Sequence, residues 1–109
     1  MAWTHQREHY RILYPAALRP RLVVQGVSFE ILDLSERGIR FDLGDAVPPE
    51  PGNEFAGEVQ FRRGEAVAVR GAILRVVDRE AAARLDPGIP LRIVLEEQRG
   101  VLERKRPRP

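Results

Sequence analysis

Apolar residues that recur at every second position over short runs, each run closed by a turn, narrow most sharply what this chain can become. Val27, Phe29 and Ile31 are interleaved with Ser28, Glu30 and Leu32, and Ile39, Phe41 and Leu43 are interleaved with Arg40 and Asp42. A period of two is the mark of a half-buried strand. Leu22 to Val24 form a shorter run before these, and Gln25-Gly26 reads as the intervening turn. The stretch Val47-Pro48-Pro49-Glu50-Pro51-Gly52-Asn53 suits neither helix nor strand and predicts a loop within the domain. Phe55, Val59 and Phe61 predict the next strand, Arg62-Arg63-Gly64-Glu65 a hairpin turn, and Val67 to Val77 a long strand bent at Gly71. The alanine-rich stretch Asp78 to Leu85 predicts one or two helical turns, and Leu91, Ile93 and Leu95 a last strand. Glu96 to Arg106 predicts a short helix, interrupted at Gly100 and stopped by Pro107. Six or so short strands with turns between them argue for an all-β domain with a short C-terminal helix, a small antiparallel barrel or a sandwich.

At 109 residues, 43% of them hydrophobic, the chain has material for one modest core. It contains no cysteine, which removes disulfides, thiolate zinc sites and cysteine nucleophiles and is compatible with a reducing compartment. The first residues lead into no apolar run, and no stretch approaches a membrane span, so the expectation is a soluble, cytoplasmic protein without membrane insertion. The net charge is +2, but residues 1–21 carry +3 and residues 99–109 carry +4, leaving about −5 between them. Basic ends on an acidic body suit an anionic ligand near a terminus. Solvated tails in a chain with 17 arginines among its 18 basic residues would look the same.

Catalytic chemistry finds little support. His5 and His9 are the only histidines and lack a third ligand for a metal. Ser28 and Ser35 have no nominated base, no glycine-rich phosphate loop is present, and the 16 carboxylates suggest no catalytic pair. The expectation is a binding module, not an enzyme, with no cofactor and no metal.

Two short features remain. In Arg7-Glu8-His9-Tyr10-Arg11 two arginines stand four apart, each a planar fork of donors that fits phosphate oxygens or the O6/N7 edge of guanine. The same spacing recurs at Arg75/Arg79 and Arg104/Arg108, so alone it means little. In Asp33-Leu34-Ser35-Glu36-Arg37-Gly38, extended backbone points residues 33 and 35 to one side, and Gly38 would permit a positive φ and close ligand approach. Plain turn chemistry accounts for these residues taken singly.

Taken in order, the two features resemble the ligand signature of the PilZ family, RxxxR followed some twenty residues later by [DN]xSxxG. Arg7 and Arg11 match the first element, and Asp33, Ser35 and Gly38 the second. The likeness extends over nearly the whole chain as an all-β run followed by a terminal helix. It implies a six-stranded antiparallel β-barrel over residues 18–96, a flexible N-terminal arm over 1–17 that carries the arginines, and a C-terminal helix and basic tail over 97–109. It also implies that the ligand is cyclic di-GMP, with Arg7 and Arg11 on its phosphates and guanines and Asp33 and Ser35 on a guanine edge. The arm would fold around the ligand, and an unidentified downstream protein would read the altered surface. Some relatives carry a further arginine beside the first, where this chain has Gln6 and Glu8, which leaves one or two ligands per domain open. Others carry a late-strand aromatic that stacks on guanine; Arg75 stands in that region here. Trp3 and Tyr10 suit either stacking on a base or covering the barrel rim. Two rival functions are a basic barrel for single-stranded nucleic acid and a PilZ-like adaptor without ligand. With only seven aromatic residues, at least three of them on apolar strand faces, and the signature residues intact, both are disfavoured.

Overall fold

The computed structural model describes residues 11–105, with side chains to residue 104. Seven strands run in chain order: β1 (Ile12–Leu13), β2 (Arg21–Val24), β3 (Val27–Leu34), β4 (Gly38–Asp42), β5 (Glu54–Gln60), β6 (Ala66–Val77) and β7 (Glu80–Leu85). One helix, α1 (Leu91–Lys105), follows them. Every pairing is antiparallel, and the order β3-β2-β5-β6-β7-β4 closes when β4 pairs back onto β3. The result is a six-stranded closed barrel, which leaves no free sheet edge among these strands. Two-residue β1 pairs with the same edge of β3 as β2 does, further along the strand. Within the stretch read as an arm, therefore, Ile12 and Leu13 pair with the barrel wall, Ala16–Leu18 form a short 3-10 turn, and Ile12 and Tyr14 are buried.

The alternation read in the sequence fills the core. Leu22, Ile31, Ile39, Phe41, Val59, Val69 and Ile73 all point inward and are buried. Phe41 packs against Phe29 and Phe55 at centroid distances of 5.4 and 6.2 Å, both tilted rather than stacked. Gln25 and Gly26 have φ of 50° and 82° in the β2–β3 turn, the left-handed pair that a two-residue hairpin needs. Gly71, expected at a bend, is instead a packing site. A Cβ there would lie 2.4 Å from the Phe55 ring, while the irregularity in β6 falls between Ile73 and Arg75.

Two further segments differ from the sequence reading. Glu80–Leu85 is a central strand, not helical turns. Pairing on both edges, with β4 and β6, outweighs alanine's high helix propensity, and Ala81 and Ala83 supply small inward side chains. Leu91 to Leu95 opens the helix instead of forming a strand. Its buried residues Ile93, Val94, Glu97 and Val101 recur at helical spacing, and the helix runs through Gly100 unbroken.

That helix is fixed to the barrel by a polar contact in the core. The Tyr14 hydroxyl, just beyond β1, donates a 2.7 Å hydrogen bond to Glu97 Oε1. Burial, reinforced by that bond and by the carboxylate's charge, pushes the phenol well above its usual ionisation range. Unfolded Tyr14 ionises near 10 while the folded form keeps its proton, so stability falls as pH rises past that value. Tyr14→Phe strands the buried carboxylate and should destabilise the domain by about 1–3 kcal/mol in urea unfolding at neutral pH. The same variant should show a shallower loss of melting temperature between pH 9 and 11.

Candidate functional site

Strands β3 and β4 alternate inward and outward, and uninterrupted alternation from Ile31 would send Asp33 into the core. The pairing prevents this. Ile31 faces Phe41 but Asp33 faces Arg40, so Leu32 is an extra residue that shifts the register. Leu34 takes the core position and Asp33 turns to the outer face. The irregularity in β6 acts the same way: Ile73 faces Ala83 and Arg75 faces Ala82, so Arg75 joins the outer face beside Ala82 and Arg40.

On that face Asp33 is gripped from two sides. Arg11 Nη1 donates to Oδ1 at 2.6 Å and Arg40 Nε to Oδ2 at 2.6 Å. Arg40 also pairs with Glu80 of β7. The bond to Asp33 is the main cause that lifts the Arg40 guanidinium above its already high range, against an opposing effect of burial. The Asp33 side chain is only 4% exposed, whereas Arg11 and Arg40 keep 43% and 37%. The carboxylate is thus a nearly dry anion under two wet cations, which compensate its desolvation.

The segment Ser35 to Gly38 closes the β3–β4 hairpin beside this cluster. Ser35 N–H donates to Gly38 O at 2.9 Å, and Ser35 Oγ donates to the same oxygen at a longer 3.4 Å. Gly38 is not among the glycines with positive φ, contrary to the sequence expectation. Its value is space: a Cβ would sit 3.2 Å from Ser35 Oγ and 3.5 Å from Arg11 Nη2. Four of the five residues expected at the site, Arg11, Asp33, Ser35 and Gly38, are therefore brought into one patch. Arg7, like His5, His9, Trp3 and Tyr10, lies outside the described residues. Arg40 is the member that sequence reasoning missed. It was read only as the polar alternant of β4, although a hairpin turned at residues 35–38 already places it near Asp33.

The turn is braced from behind. Ile89 N–H donates to Glu36 O and Leu85 N–H to Arg37 O, each at 2.9 Å, and a Cβ on Gly88 would lie 1.8 Å from Glu36 O. The chain leaving β7 thus packs backbone to backbone against the motif turn, which only glycine allows.

The burial figures rank the cluster's members. Asp33→Ala should cost about 2 kcal/mol, below the value for a fully buried pair because both guanidiniums retain water. Arg11→Ala should cost about 0.5–1 kcal/mol, since Asp33 keeps Arg40, with Arg40→Ala between the two. Chemical denaturation of the three variants checks the order.

Comparison with known proteins agrees with this fold. The PilZ domain family model matches residues 5–104. Among solved structures, the Bacillus subtilis inhibitor of motility (MotI/DgrA) superposes with a TM-score of 0.71 at 12% identity, over 88% of this chain. This chain spans 50% of the length of that structure, and at such identity the likeness concerns the fold. Among curated proteins no match is found.

Proposed function

We propose that this chain, which belongs to the PilZ domain family, is a receptor for cyclic di-GMP that passes the binding event to a partner protein. The observation that carries the reading is the convergence of Arg11, Asp33, Ser35 and Gly38 on one outward patch of the barrel. Cyclic di-GMP presents two phosphodiester anions and two guanines. Arg11 can exchange Asp33 Oδ1 for a phosphate or for guanine O6 and N7, contacts of the same charge-assisted kind. The freed carboxylate oxygen then accepts from the guanine N–H groups. Arg40 remains on the other oxygen, so the exchange never leaves a buried charge uncompensated. The long Ser35 bond to Gly38 O is readily given up to a ligand. Arg7, four residues before Arg11, supplies the second fork.

The proposed output is a change of surface. Ligand held between Arg7, Arg11 and the turn draws the segment before Ile12 onto the barrel, and a partner distinguishes the two surfaces by differential affinity. No turnover is required, so this is a binding and adaptor role. No helix among the described residues is long and apolar enough to cross a membrane. Motility, the process for which the structural neighbour is named, is the first output to assay.

Calorimetric titration of the purified chain should give low-micromolar or tighter binding of cyclic di-GMP. Arg7→Ala and Arg11→Ala should each remove most of it, while His5→Ala should not. Gly38→Ala should weaken binding with little change in melting temperature, because its Cβ meets side-chain atoms that can move. A flat titration with folded protein overturns the reading.

A further inference from the structure

The chain entering β2 forms, with β3 and the end of β5, a pocket of about 230 Å³ that shares no residue with the motif patch. Three arginines line it: Arg19 and Arg21, on either side of buried Pro20, and Arg62 from the β5–β6 turn. The backbone makes them converge. Residues 19 and 21 lie on one side of extended backbone, and Pro20 O accepts from Ile31 N–H at 3.0 Å, which pins that segment to β3. Glu30, Arg21 and Gln60 are register partners across β3, β2 and β5, and Arg62 stands two residues beyond Gln60.

The donors of this pocket exceed its acceptors. Arg19 Nη1 donates to Glu30 Oε1 at 3.1 Å, but Arg19 Nε–H is buried and meets no acceptor, the single such side-chain group among the described residues. A buried donor left without a partner carries a desolvation cost that an incoming acceptor removes. Arg21 makes only a long 3.4 Å contact with Ser28 Oγ, and Arg62 has no side-chain partner among the described residues. Glu30 is the one carboxylate in the lining, so three guanidinium charges against one leave the pocket at +2. A phosphate monoester carries close to −2 near neutral pH and presents three oxygens, one for each guanidinium. A carboxylate or a phosphodiester brings only −1. Size sets a further bound. Pockets for drug-sized ligands run to roughly 300–1,000 Å³, so this one suits a phosphate with a small group attached and not a whole dinucleotide.

We propose that this pocket is a binding site for a phosphate dianion, free or as the monoester of a small metabolite. Arg19 Nε, Arg21 and Arg62 supply the donors, and Glu30 holds Arg19 in place until the anion arrives. The site is independent of the cyclic di-GMP reading.

Calorimetric titration of the full chain with glycerol 3-phosphate, inorganic phosphate and the diester dimethyl phosphate tests it, with thermal melts to verify folding. One equivalent of glycerol 3-phosphate or inorganic phosphate should bind, and dimethyl phosphate at least tenfold more weakly. Tighter glycerol 3-phosphate identifies the ligand as an ester, and tighter inorganic phosphate identifies the free anion. Arg62→Ala should weaken binding about tenfold or more. So should Arg19→Lys, which keeps the charge and most of the packed stem but loses the Nε–H. Glu30→Gln should strengthen binding about two- to fivefold, because it removes the competing carboxylate. Arg70→Ala, an exposed arginine on β6, should change nothing. A wild type that binds neither phosphate overturns the proposal, as does an equal loss in Arg70→Ala, which means attraction to net charge alone. Loss in Arg11→Ala with Arg19→Lys unaffected places the anion at the motif patch and also overturns it. Dimethyl phosphate bound as tightly as glycerol 3-phosphate refutes the dianion assignment.

Discussion

A carboxylate on the outside of a barrel is ordinarily wet; that of Asp33 is nearly dry, and two guanidiniums hold it there and compensate its desolvation. The contact does more than satisfy one anion. Arg11 stands at the threshold of β1, Asp33 is on β3, Arg40 on β4, and Glu80, which takes the other side of Arg40, on β7. One charge cluster thereby ties Arg11 to three neighbouring strands of the wall. It also keeps the signature residues aligned, since Arg11 sits over both Asp33 and the open space at Gly38.

That cluster exists because the barrel breaks its own alternation. With regular pleating Asp33 would follow Ile31 into the core, where an unpaired charge is expensive. The extra residue Leu32 exchanges the roles of Asp33 and Leu34, and the matching irregularity in β6 brings Arg75 outward. The two irregular strands flank the β4–β7 pair, so both shifts deliver polar side chains to one side of the barrel. A bulge re-aims the side chains that follow it, and this barrel uses the device twice.

Behind the site, rigidity comes from backbone contacts. The chain between β7 and α1 lies so close to Glu36 and Arg37 that Gly88 has no room for a side chain. The same chain leads directly into the helix, whose Glu97 is bonded to Tyr14 three residues beyond Arg11. The motif turn and the Arg11 strand are thus each connected to the helix by short, specific contacts. A ligand that moves Arg11 acts on a strand whose other end is anchored in the core. This gives the helix and the arginine patch a common mechanical base.

Much of the barrel was legible because a half-buried strand imposes its period directly on the residues. Val27 to Ile31, Ile39 to Leu43 and the Gln25-Gly26 and Arg62-to-Glu65 turns all state their structure locally. Segments whose state depends on neighbours were not legible. Ala81 and Ala83 favour helix in isolation and became strand only because β4 and β6 lie on either side. Leu91, Ile93 and Leu95 fit a period of two until the barrel end offered a surface to Ile93, Val94 and Val101. The sequence by itself therefore determined the β pattern, its turns and the order of the signature residues, all of which rest on short-range sterics and hydrophobic period. Only the tertiary structure decided that Asp33 faces outward, that Arg40 joins it, and that Arg19, Arg21 and Arg62 share a pocket. Each of those depends on strand register, which is set by pairing between segments far apart in the chain and leaves no local mark.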